Sequence, residues 1–167
     1  WYNSTTQTLK VNAGTLVGSW STGNDLNTGR WQGAGAGTQT AALYFGGGYG
    51  QIALTEKWNG TNWTEVNDLN SARTKIGGCG TQTSAIGFGG QANGSNNPYS
   101  VDTELYNGTN WTEVNNLNQA RYFITGIGNT NTAALAANGE ASNDTGTVNT
   151  ELWNGTNWTE VNNLNTL

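Results

Sequence analysis

Two sets of carboxylates recur along the chain, and paired carboxylates are what general acid–base chemistry needs. Glu56, Glu104 and Glu151 form one set; Glu65, Glu113 and Glu160 follow them, each nine positions later. Residues that recur once per unit read as scaffold, because a catalytic pair would break the repeat rather than obey it. Histidine is absent. That removes a His-based triad, a His metal site and a histidine pH switch. The single cysteine, Cys79, excludes an internal disulfide framework. It sits where the other units have Ala36 and Gly128, and it reads as a small buried filler. No enzymatic role, no cofactor and no metal site are expected.

The other chemically capable groups are cations and aromatics. Arg30, Arg73 and Arg121 recur in step, which points to a structural hydrogen bond to a neighbouring carbonyl or carboxylate. Trp58 with Trp63, and their copies, would stack on sugars if exposed. Recurrence at one position favours packing between neighbouring units instead. Trp31, Tyr49 and Tyr99 are not repeated, so they read as exposed contact residues.

These residues are positioned by an internal repeat. Three strings nearly coincide: TEKWNGTNWTEVNDLNSAR (55–73), TELYNGTNWTEVNNLNQAR (103–121) and TELWNGTNWTEVNNLNTL (150–167). A degenerate copy of the second half, WSTGNDLNTGR, lies at 20–30. The anchoring residues Asn27, Asn70, Asn118 and Asn165 step by 43, 48 and 47 positions. A second string runs in phase: GAGTQTAALYFGG (35–47), GCGTQTSAIGFGG (78–90) and GIGNTNTAALAANG (126–139). Each unit therefore reads as an Arg, a small-residue run, an apolar strand, a variable loop and an aromatic hairpin. Ala41 to Phe45, Ser84 to Phe88 and Ala133 to Ala137 read as short buried strands. Asn59-Gly60 between β-formers is a hairpin signal, repeated at Asn107-Gly108 and Asn154-Gly155. Each unit supplies four short strands, which is the signature of a propeller blade.

Composition agrees with an all-β chain of 167 residues. Gly, Asn and Thr number 25, 26 and 26, and they favour turns and strands. A net charge of −5 without a Lys/Arg cluster speaks against nucleic acid. No apolar run approaches the roughly 18 residues of a membrane helix, so no membrane insertion is expected. With no Met, a chain starting at Trp1 reads as a processed product or as a segment whose upstream part is missing.

The landmarks together resemble kelch repeats, which are blades of β-propellers. They are the Arg, the strand ending in Gly46-Gly47 or Gly89-Gly90, the residue at Trp58, Tyr106 or Trp153, and the Trp at 63, 111 or 158. The third unit departs, with Ala137-Asn138-Gly139 in place of Gly-Gly. The resemblance implies kelch-like propeller blades over 20–167, with repeats at 28–70, 71–118 and 119–165. Residues 1–19 would then form a hairpin and connector arm. In some kelch propellers, arginines near the channel mouth bind acidic ligands, which makes Arg30, Arg73 and Arg121 binding candidates beside Tyr49, Tyr99 and Trp31. The copper chemistry of galactose oxidase, a kelch enzyme, needs His ligands and does not carry over.

WYNSTTQTLKV (1–11) resembles strand–turn–strand segments of bacteriophage tail and fibre proteins, and the arrays built on NGTNWTEVNDLN strings resemble structural proteins of marine phages. That resemblance implies a non-enzymatic virion protein, a tail fibre or surface appendage with a role in host attachment. The partners would be copies of itself or other virion proteins, together with a host surface glycan or protein receptor. The alternative is a carbohydrate-binding or adhesion module of a secreted or cell-surface protein. Three repeats are fewer than a closed propeller contains, so self-association or a continuation of the chain is expected. The length differences fall in the loops 48–54, 91–102 and 140–149, which marks that side as the binding face.

Overall fold

Small-residue runs cannot fill a core with their own side chains, so they belong where backbones approach closely. The computed structural model describes residues 2–3, 8–9, 22–48, 50–92, 99–141 and 145–165. It shows an all-β chain, with no helix among those residues. At the N-terminus β1 (Tyr2–Asn3) pairs antiparallel with β2 (Thr8–Leu9). The first unit follows as β3 (Ala34–Thr38), β4 (Ala41–Phe45), β5 (Thr55–Trp58) and β6 (Trp63–Val66). The second contains β7 (Arg73–Thr74), β8 (Gly77–Thr81), β9 (Ser84–Phe88), β10 (Gln91–Ala92), β11 (Thr103–Tyr106) and β12 (Trp111–Val114). The third contains β13 (Thr125–Thr130), β14 (Ala133–Ala137), β15 (Glu140–Ala141), β16 (Thr145–Gly146), β17 (Thr150–Trp153) and β18 (Trp158–Val161).

Each unit is one four-stranded antiparallel meander, in the orders β3-β4-β5-β6, β8-β9-β11-β12 and β13-β14-β17-β18. The apolar strands and both arms of each hairpin coincide with the spans expected from sequence. The hairpin turns form because the Asn59 side chain accepts from the N–H groups of Thr61 and Asn62 and Gly60 takes φ +94°. Asn107 and Asn154 make the same bonds. The shorter pairings β7–β10 and β15–β16 lie outside the meanders.

The three sheets stack in chain order, with the small-residue strands as one edge of each. β8 packs against both β3 and β13. The approach is close: a Cβ on Gly126 would lie 2.4 Å from the Gly78 carbonyl oxygen. Two apolar cores result, and each lies between sheets rather than within one. Phe45, Leu69 and Leu43 of the first unit meet Ile76, Ala85, Tyr106 and Trp111 of the second. Phe88, Leu117 and Ile86 of the second meet Ile124, Ala136, Trp153 and Trp158 of the third.

The register corrects one equivalence read from the sequence. Cys79 faces Ile86 and Ile127 faces Leu135, so Ile127, not Gly128, is the counterpart of Cys79. A β-bulge between Ile127 and Thr130 adds one residue to β13 and shifts the count. Asn138 also explains the missing Gly-Gly of the third unit. Its φ of +57° matches Gly46 at +67° and Gly89 at +60°, and Asn is among the few side chains that tolerate this region.

Candidate functional site

The recurrent charged residues build three buried clamps. Glu104 accepts from Arg73 Nη2 at 2.8 Å, from the Asn70 N–H at 2.7 Å and Nδ2 at 2.9 Å, and from the Ser71 N–H at 3.3 Å. Arg73 Nη1 donates to the carbonyls of Gly89 and Asp102 at 2.8 and 2.6 Å. Glu151 repeats this set with Arg121 and Asn118. In the first unit Glu56 takes Arg30 Nη1 and the N–H groups of Asn27 and Thr28. The arginine side chains are fully buried in all three pairs.

Burial pushes the Glu56 carboxyl up, but the Arg30, Asn27 and Thr28 bonds outweigh it and hold its pKa below 4.5. Burial lowers the Arg73 guanidinium, against the opposing pull of Glu104. The arrangement ties the segment leading into β3, β8 or β13 to the third strand of the same sheet and to the connector before it. The guanidinium groups are buried among these partners. Glu65, Glu113 and Glu160 stand directly across from the clamp carboxylates and are exposed.

The recurrent aromatics seal the seams. Trp111 lies tilted against Phe45 of the preceding sheet at 4.7 Å, and Trp158 meets Phe88 edge to face at 4.9 Å. Their indole N–H groups donate to Thr55 Oγ1 at 3.1 Å and Thr103 Oγ1 at 3.0 Å. Both are 5% exposed, so they pack between neighbouring sheets. Trp58 and Trp63 are half-buried and tilt together at 5.4 Å.

The residues left over for contact gather just before β3, β8 and β13. Gln32, Lys75 and Phe123 hold equivalent positions, two after each arginine, and all have positive φ, at 60°, 54° and 54°. A bulky residue in that region is strained, and such strain persists only where surroundings enforce it. A backbone ladder across the sheets enforces it here. The Lys75 N–H donates to the Gln32 carbonyl at 2.7 Å, and the Phe123 N–H to the Lys75 carbonyl at 2.9 Å.

Trp31 and Phe123 are 53% and 46% exposed at this end. Between them the Lys75 ammonium lies 4.4 Å over the Tyr122 ring and 5.0 Å over Phe123. Tyr99 stacks on Tyr122 at 5.1 Å and is half-buried. The loops after the apolar strands start at the same end, since Gln91 pairs with Thr74 and Glu140 bridges Tyr122. The structure therefore brings Trp31 and Tyr99 to one end and keeps Arg30, Arg73 and Arg121 beneath it. Tyr49 lies outside the described residues. Sequence reading missed Lys75, Tyr122 and Phe123. The available signal was a bulky residue two places after each clamp arginine, where glycine would be the easy choice.

A concavity of about 620 Å³ opens along the small-residue strands β3, β8 and β13. Gly35, Ala36, Gly78, Gly80, Gly126 and Asn129 contribute to its lining, which carries no carboxylate, lysine or arginine. Cys79 also lines it, and burial pushes that thiol up to about 11. A thiol so shifted stays protonated at neutral pH and is a poor nucleophile.

No protein-family model matches the chain. No curated protein sequence matches it either. Among solved structures it is similar to that of YjhT, with a TM-score of 0.69 and 17% identity over 96% of this chain and 51% of that one. The chain thus spans about half the length of that structure, and the likeness is one of all-β fold.

Proposed function

We propose that the chain is a non-enzymatic structural protein of a bacteriophage virion, a fibre or surface appendage that takes part in host attachment. In this reading the three sheets are kelch-like propeller blades. The small-residue strands are innermost and the Asn-Gly hairpins outermost, as the resemblance to kelch repeats implies. The similarity of the NGTNWTEVNDLN strings to phage structural proteins supports a place on the virion.

The observation that carries the attachment role is a division of labour. The recurrent clamp arginines and glutamates, with Trp111 and Trp158, are buried and bonded, whereas the unrepeated Trp31 and Phe123 stand exposed at the end where the variable loops start. Exposed aromatics of low conformational entropy suit a glycan or protein surface. The same face favours a second reading, a carbohydrate-binding or adhesion module of a secreted or cell-surface protein.

Competition for adsorption tests the first reading. The purified chain should block attachment of particles to susceptible cells, and a Trp31→Ala/Phe123→Ala variant should not. If neither protein competes, the attachment role is wrong. Saturable glycan binding without competition would select the second reading.

A further inference from the structure

One position in each unit is constant in its backbone and variable in its side chain. Two residues after each clamp arginine stand Gln32, Lys75 and Phe123, all at positive φ. Elsewhere in the units positive φ falls mainly on glycine, as at Gly47, Gly90 and Gly139, where it brings no strain. Gln, Lys and Phe are strained there, and strain of this kind gathers at functional sites. Core packing does not account for these side chains, since Gln32 and Phe123 are exposed and Lys75 is half-buried. The strained backbone displays a row. Hydrogen bonds from Lys75 to Gln32 and from Phe123 to Lys75 fix its spacing, with neighbouring Cα atoms about 5 Å apart.

The row offers donors and ring faces. Thr74 Oγ1 donates to Gln32 Oε1 at 3.3 Å, which engages that oxygen and leaves the Nε2 group to donate. The Lys75 ammonium lies over the Tyr122 and Phe123 rings, which attract it but accept no ordinary hydrogen bond. It forms no ion pair among the described residues, and Glu140, whose backbone bridges Tyr122, does not reach it. The chain has six Lys and Arg residues against a net charge of −5, and three of the six are paired in the clamps. A cation kept unpaired on this face calls for an anion from outside the chain. The Gln32 and Lys75 carbonyls are taken by the ladder, so an acidic peptide would find few acceptors for its own N–H groups. A sugar ring packs its C–H face on an aromatic, and its oxygens accept hydrogen bonds. An acidic sugar also brings the anion.

We propose that Gln32, Lys75 and Phe123 form a binding row for an acidic glycan. Lys75 Nζ meets a carboxylate or sulfate of the glycan, Gln32 Nε2 donates to an adjoining sugar oxygen, and Phe123 and Trp31 pack on sugar faces to either side. The inference rests on the reading of this end as the contact face, and it names the class of ligand. The ladder presents the row already ordered, which lowers the cost of binding. Different side chains on one repeated backbone also give each unit its own subsite without altering the sheets.

Affinity electrophoresis of the full chain through gels holding alginate, dextran sulfate or neutral dextran tests this. Alginate carries carboxylates and dextran sulfate carries sulfates, and the net charge of −5 opposes unspecific attraction to either. At least one acidic polymer should retard the chain and dextran should not; the two acidic gels tell carboxylate from sulfate. Lys75→Gln should weaken binding about tenfold, and Lys75→Arg, which keeps the charge, by less than about threefold. Phe123→Gly removes the ring and the strain together. It should weaken binding about tenfold while the melting temperature holds or rises. Should that variant misfold, Lys75→Gln decides alone. Retardation by neither acidic polymer, equal retardation by dextran, or parent-like binding by Lys75→Gln or by folded Phe123→Gly would overturn the row. A chain that competes for adsorption yet ignores both acidic polymers sinks this proposal alone. One that binds an acidic polymer but does not compete sinks the attachment reading alone.

Discussion

Replacing Glu104 with Gln probes the clamp with almost no change of shape. Glu104 is 1% exposed, and all of its four donors are in place. The amide turns one acceptor oxygen into a donor. It therefore faces either Arg73 and the Ser71 N–H, or both nitrogens of Asn70. Two donors lose their acceptor in either orientation. The larger cost is the Arg73 cation, fully buried beside a neutral partner. Removing one member of a buried pair costs about 3–5 kcal/mol, about a fifth or more of the stability of a typical domain. At about 2–4 °C per kcal/mol for a chain of this size, the melting temperature should fall by about 6–20 °C. Thermal unfolding followed by tryptophan fluorescence measures it, with exposed Glu113→Gln as the control, expected within about 0.5 kcal/mol. If Glu104→Gln melts within a degree or two of the parent, the clamps do not hold the sheets as described.

Stability should also decline as pH falls below about 4.5. The Glu56 carboxyl has its pKa lowered in the fold, so it contributes stability above its unfolded value and loses it as protons bind; Glu56→Gln should flatten that limb of a pH–denaturation series. Cys79, shifted up to about 11 and buried, should resist a thiol reagent at pH 8 until the chain is unfolded. Tyr106→Phe should be neutral or stabilising by up to about 1 kcal/mol, because its buried hydroxyl has no partner; urea denaturation decides. Gly126→Ala places a methyl 2.4 Å from the Gly78 carbonyl oxygen and should cost about 1–3 kcal/mol, read by the same assay.

The repeat made the sheets legible before any coordinates. Asn-Gly turns, alternating hairpin arms and short apolar strands are local signals, and local chemistry decides them. The role of the recurrent Trp was legible too, since equal spacing implies equal packing. What the sequence concealed depends on register and on backbone conformation. Ile127 and Gly128 exchange roles because one bulge residue leaves no compositional mark. Asn138 stands in for glycine because the requirement is a positive φ, not a residue type. The exposed face was read from the unrepeated Trp31 and Tyr99, yet Lys75 and Phe123 belong to it through a ladder between sheets. That ladder joins residues about 45 positions apart, and nothing local announces it. The Arg–Glu clamps were half visible: the arginines suggested a carbonyl or carboxylate partner, and the fold selects both.

The most direct test of the functional account is electron microscopy of phage particles labelled with a gold-conjugated antibody against this chain. The account predicts gold on fibres or other surface appendages of intact virions. Particles without label, with the protein recovered instead from cell surfaces or culture fluid, would contradict it.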